Sequence, residues 1–172
     1  MSEKIRNICL LGHGSTGKTS LAESILNLTG MTDRLGKVVE GNSTCDFDAK
    51  EIKRQISIST ATVYAKYKGT KINILDTPGF FDFAGEVQEA LRVADAGIIC
   101  VSAKDGLNVG AEKSWKYLRD ASKPRAIYIS KTDEEHADFD RTFNQLREKF
   151  GSTVSAFTMP VLRMKKSPAS ST

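Results

Sequence analysis

Gly12-His13-Gly14-Ser15-Thr16-Gly17-Lys18-Thr19 follows the apolar run Asn7 to Leu11, and after it Leu21, Ile25 and Leu28 recur at helical spacing. A buried strand, a glycine-rich turn and a helix from Lys18 to about Thr29 are therefore predicted in that order. The turn fits GxxxxGK[ST], in which glycines let the backbone wrap an anion and the amides point inward at the positive end of the helix. In such a turn Lys18 reaches β- and γ-phosphates and the Thr19 hydroxyl binds Mg²⁺. The same residues also match GxGxxG through Gly12, Gly14 and Gly17. A dinucleotide fold, however, needs an acidic residue closing a second strand about twenty residues further on. That region holds Thr32 and Asp33 in a polar stretch, and the dinucleotide reading leaves Lys18 and Thr19 without a role.

Outward from this turn, residues Gly30 to Lys53 are polar, glycine-punctuated and aperiodic, so a long functional loop is expected. Ile56 to about Tyr67 and Lys71 to Leu75 read as an antiparallel pair joined at Lys68-Gly69. Val87, Ala90, Leu91 and Ala94 mark a helix, Gly97 to Val101 a buried strand, and Trp115, Leu118 and Ala121 another helix. Ala126 to Ile129 is a further strand. Phe139, Phe143, Leu146 and Phe150 form an apolar helical stripe, and Val154 to Val161 is a candidate last strand. The alternation predicts an α/β P-loop NTPase fold of three layers, its sheet mostly parallel with one antiparallel strand and helices on both faces. Residues 1–162 are expected to form this domain and 163–172 a disordered tail.

A second chemical element is Asp76-Thr77-Pro78-Gly79, which closes the apolar strand Ile72 to Leu75. An aspartate at that strand end can hold Mg²⁺ through water, and Gly79 lets its amide approach a γ-phosphate. Taken alone, the tetrapeptide is equally an ordinary turn. The composition fits one globular domain: 172 residues, 40% hydrophobic, 27% charged, net charge +4. That charge is too mild to argue for nucleic acid by itself. Cys9, Cys45 and Cys100 show no CxxC spacing, which suggests neither zinc nor disulfides and fits a cytoplasmic protein. No apolar stretch has the length of a membrane span, and the start of the chain lacks the pattern of a secretory signal.

Several segments together resemble elongation factor G and its paralogues: GHGSTGKTS at 12–20, EIKRQISIST at 51–60, DTPGFFDFAGEV at 76–87, ALRVADAGIICVSAKDGLNVGAEK at 90–113, SKTD at 130–133 and DRTFNQLREKFG at 140–151. The resemblance implies a GTP/GDP switch, a Mg²⁺ cofactor, the ribosome as partner and a monomeric state. It implies nucleotide contacts from His13, Gly14, Ser15, Thr16, Gly17, Lys18, Thr19, Ser20, Asp76 and Gly79, and from Ser130, Lys131 and Asp133 of the NKxD-type guanine motif. Asp133 can accept from both N1–H and the 2-amino group of guanine, a pairing that adenine does not offer. Thr19, Ser57 and Asp76 are the implied Mg²⁺ residues. Lys18, Ser57 and Gly79 are those implied in hydrolysis, with Gly30 to Lys53 as the first switch region.

Three departures qualify this resemblance. Phe80 stands where the family carries a water-orienting histidine, which predicts slow hydrolysis; His13 is no substitute, being the family's usual residue and structural. Ser130 replaces the asparagine of NKxD, so guanine affinity should weaken. Ser15 replaces a frequent aspartate. Ser155-Ala156-Phe157 resembles the last guanine motif but follows Asp133 too closely, and a strand is expected there instead. The chain is thus expected to be a fragment. Binding without appreciable hydrolysis, a ribosome protection or rescue role, and an ATP-using enzyme (which Asp133 disfavours) remain the alternatives. Asp46-Phe47-Asp48 is read as a solvated loop, the acidic run from Asp133 as part of a helix start, and Trp115, Phe139 and Phe143 as core.

Overall fold

The structure is a computed structural model that describes residues 4–161. Its five-stranded sheet has the order β2-β3-β1-β4-β5. The strands are β1 (Lys4–Leu11), β2 (Ala61–Tyr67), β3 (Thr70–Asp76), β4 (Ala96–Ser102) and β5 (Arg125–Ser130). β1 pairs in parallel with both β3 and β4, and β4 with β5. Only β2 runs antiparallel, against β3. The helices are α1 (Lys18–Leu28), α2 (Ala49–Arg54), α3 (Ala84–Val93), α4 (Val109–Asp120) and α5 (Phe139–Phe150). No helix among the described residues is long and apolar enough to cross a membrane.

Alternation along β1 sends successive side chains to opposite faces, so each face acquires its own core. Cys9 and Leu11 pack with Leu75, Ile99 and Val101 under α3 and α4. Leu10 packs with Ile74, Ala61 and Ala65 under α1, where Cys45 also lies. The layered, mainly parallel sheet therefore matches the expectation. All three cysteines are buried and free.

Several local expectations need correction. The polar stretch 30–53 is not structureless: it holds a 3₁₀ turn at Val38–Glu40 and the start of α2. Asp48 caps α2, and Glu51 returns the bond in a capping box. Strand β2 begins at Ala61 rather than Ile56, because carboxylates compete for the preceding amides. Ile58 and Ser59 donate their N–H groups to Glu51, and Thr60 donates its own to Glu86. Residues 154–161 form no strand; Phe157 is fully exposed and Pro160 has no N–H to give a ladder.

Trp115, Phe139 and Phe143 are half-buried and stack in pairs, Trp115 on Phe150 against the core and Phe139 on Phe143. The acidic run 133–136 lies in a turn ahead of α5, whose cap is Asp138. The expected tail at 163–172 lies outside the described residues.

Candidate functional site

β1 ends at Leu11, and the next residue passes close to the backbone of β4. Gly12 has φ 134, and a side chain there would strike the carbonyl oxygen of Cys100. Gly17, at φ 85, is the N-cap of α1. The turn between them is tied internally: Thr16 Oγ1 donates to the carbonyl of His13 at 2.9 Å. Lys18 Nζ donates to the carbonyls of His13 (2.7 Å) and Gly12 (3.2 Å). Its ammonium is thus curled into the cradle. Burial pulls the Lys18 pKa down, and the charge of Asp76 works in the opposite direction.

Thr19 is the hub of the next layer. Its Oγ1 donates to Asp76 Oδ2 at 2.6 Å and sits 3.5 Å from Ser57 Oγ. Ser57 Oγ in turn donates to Asp46 Oδ1 at 2.7 Å. Asp76 is almost wholly buried, and burial pushes its carboxyl up to about 6 against the pull of the Thr19 hydroxyl and the Lys18 ammonium. Burial also raises the Asp46 carboxyl, while the Ser57 hydroxyl lowers it. Asp46 Oδ2 and Asp76 Oδ1 are buried without a hydrogen-bond partner.

Two buried carboxylates, each with an unused oxygen, beside two hydroxyls make an all-oxygen donor set. That chemistry suits a small hard divalent ion such as Mg²⁺, which takes few protein ligands and retains water. Among the described residues no group of three or more His, Cys, Asp or Glu side chains is placed to hold a metal ion.

Lys18, Thr19, Asp46 and Ser57 line one cavity of about 240 Å³, together with Gly14, Ser15, Gly17, Ser20, Gly79, Phe80 and Lys131, and Asp76 is joined to it through Thr19. A methyl group on Gly79 would come within 2.5 Å of Gly14 N and Lys18 Nζ, so only glycine fits there. The Phe80 ring covers Gly14, and a methyl group on Gly14 would lie 3.1 Å from it. His13 stands behind the cradle against Gly110, with its ring tilted towards Phe81 at 5.8 Å.

Ser130 is buried, and its Oγ donates to the carbonyls of Thr16 (2.8 Å) and Val101 (3.2 Å). It therefore fastens the glycine-rich turn to the sheet. Lys131 borders the cavity with its Nζ 3.1 Å from Glu134 Oε1. Asp133 is exposed in the following turn and is not part of the cavity wall. A larger recess, about 520 Å³, lies between β5, α5 and residues 153–160, and none of the phosphate-end residues borders it.

Asp46 was missed by sequence reading: Asp46-Phe47-Asp48 resembles a solvated loop, yet Asp46 is only 4% exposed. Its one local signal was the neighbouring Cys45, which is itself buried.

The profile of the elongation factor Tu GTP binding domain matches residues 3–169. Elongation factor G 2 of Saccharophagus degradans is 39% identical over 158 residues, covering 92% of this chain and 23% of its own length. An elongation factor G-like protein of Mycobacterium tuberculosis is 35% identical over 156 residues, covering 91% of this chain and 22% of its own. A crystal structure from Thermus thermophilus superposes with a TM-score of 0.83 at 34% identity, over 87% of this chain and 23% of that one. The chain thus spans about a quarter of the length of the relatives it matches.

Proposed function

The chain belongs to the elongation factor Tu GTP-binding domain family, and on that premise we propose that residues 1–162 form a Mg²⁺-dependent guanine-nucleotide switch of elongation factor G type that hydrolyses GTP slowly. The observation that carries this reading is the convergence of Lys18, Thr19, Ser57 and Asp46 on one cavity, with Asp76 bonded to Thr19 and one buried oxygen of each carboxylate left unpaired.

In this reading the P-loop amides and Lys18 take the β- and γ-phosphates, and Lys18 exchanges its bonds to Gly12 and His13 for phosphate oxygens. The Thr19 and Ser57 hydroxyls and the Asp76 carboxylate hold the metal, with Asp46 orienting Ser57. When bound, Mg²⁺ neutralises charge on the phosphate oxygens. The Gly79 amide closes on the γ-phosphate. Asp133 reads N1–H and the 2-amino group of guanine, with the Lys131 stem along the base plane. The ribosome is the macromolecular partner that this reading implies.

Phe80 sets the rate. Its ring lies over Gly14 at the edge of the phosphate cavity and offers no donor or acceptor to an attacking water. This favours a second reading in which nucleotide is bound and released with negligible hydrolysis. Phe80→His separates the two: a rise in single-turnover GTP hydrolysis of at least about tenfold is expected, since such steps rest on positioning. An unchanged rate would show that Phe80 is not what limits it.

The site itself is tested by titrating the chain with fluorescent GDP and GTP, with and without Mg²⁺, and competing with ATP. Saturable binding that needs Mg²⁺ for full strength and is displaced by GTP but not by ATP is expected. Equal displacement by ATP would overturn the guanine assignment.

A further inference from the structure

Glu23 lies on α1 one turn beyond Thr19, on the same helix face, and is completely buried. It does not line the cavity. Its Oε1 instead accepts from the segment that arches over the site: Ser43 Oγ (2.8 Å), Thr44 N (2.6 Å) and Cys45 N (3.1 Å). Ser43 Oγ accepts in turn from the amides of Cys45 and Asp46. The next link is Asp46 to Ser57, and Ser57 meets Thr19.

The second oxygen, Oε2, is buried without a hydrogen-bond partner and presses on Gly36, where any side chain would overlap it. A fully buried carboxylate is costly unless it is bonded, so its place inside α1 is explained by what it holds. The stretch after α2 is held alike, by Glu51 at Ile58 and Ser59 and by Glu86 of α3 at Thr60.

We propose that Glu23 is the positioning residue that docks residues 36–46 on α1 and so brings Asp46, and through it Ser57, to the metal side of the cavity. The proposal rests on the nucleotide and Mg²⁺ reading given above. Thr19 and Glu23, one helical turn apart, then act as a pair: Thr19 contributes directly to the metal side, and Glu23 delivers the loop that completes it. Gly36 is the matching half of the dock.

The test compares GTP affinity with Mg²⁺ and with EDTA in the full chain for Glu23→Ala, Glu23→Gln and Gly36→Ala. Glu23→Ala and Gly36→Ala are expected to lower the Mg²⁺ enhancement on the order of tenfold, about 1.4 kcal/mol. Glu23→Gln keeps an acceptor oxygen at the same reach and should restore most of it. Affinity in EDTA should be unchanged in all three, and the amides of Thr44 and Cys45 should exchange hydrogen faster in the two losing variants.

An unaltered Mg²⁺ enhancement in Glu23→Ala, or an equal loss with and without Mg²⁺, overturns the proposal. If Glu23→Ala does not fold, Gly36→Ala decides it, because that change leaves α1 intact. Failure of the unaltered chain to bind GTP with Mg²⁺ would instead overturn the reading of the site itself.

Discussion

At the phosphate end of the cleft Thr16, Lys18, Thr19 and Asp76 are buried and bonded to one another or to the loop around them, whereas beyond β5 Lys131 is half-exposed and Asp133 stands in solvent. The first region has its geometry before any ligand arrives, and its polar groups have already lost their water on folding. The second has an ion pair from Lys131 to Glu134, which also lies 3.6 Å from Lys104, and an exposed carboxylate. The difference teaches where binding energy and selectivity separate. In the reading proposed above, a prebuilt, desolvated cradle supplies the affinity for phosphates, since preorganised donors need no further ordering. In the same reading the open turn adds the discrimination of the base, through hydrogen bonds that guanine offers and adenine does not.

Substitutions can break or sharpen this contrast. The largest effect is expected from Lys18→Ala, which removes the buried cation and its bonds to the Gly12 and His13 carbonyls. Nucleotide affinity should fall at least about a hundredfold, near the loss of a buried charged partner; undiminished GTP binding in the same titration would break the P-loop assignment.

Next is Asp133→Asn, which should exchange guanine for xanthine preference by about 1–3 kcal/mol, because the amide donates where the carboxylate accepted. Competition by GDP against XDP reads this directly, and retained guanine preference would mean the base is read elsewhere.

The smallest effect sharpens the boundary between the two regions. Ser130 belongs to the guanine motif by sequence but to the phosphate cradle by contact. Ser130→Ala should therefore cost roughly 1 kcal/mol of stability on denaturation and weaken GDP and XDP alike. A change in base preference would return Ser130 to the guanine end.

Legibility followed the same division. Gly12, Gly17 and Gly79 could be assigned from the chain alone because the turns that need them are local and tolerate little else. The sheet was legible from the buried runs of β1, β3 and β4, and the antiparallel hairpin from Lys68-Gly69. The beginning of β2 was not, since Ile56 to Thr60 has a strand-like composition. Glu51 and Glu86 draw its amides out of the ladder from other elements. Nor was α2, although Asp48 and Glu51 stand at capping-box spacing.

The sequence by itself determined the glycine-rich turn at 12–19, the aspartate-glycine turn at 76–79 and the layered fold, because each depends on short-range backbone geometry or on simple apolar periodicity. Only the tertiary structure decided that Asp46 faces the cavity, that Glu23 is buried under Gly36, and that Ser130 is an anchor of the P-loop. A carboxylate in a polar stretch looks solvated until its distant partners are known. Its burial depends on hydrogen bonds between residues far apart in the chain, and no local pattern records them.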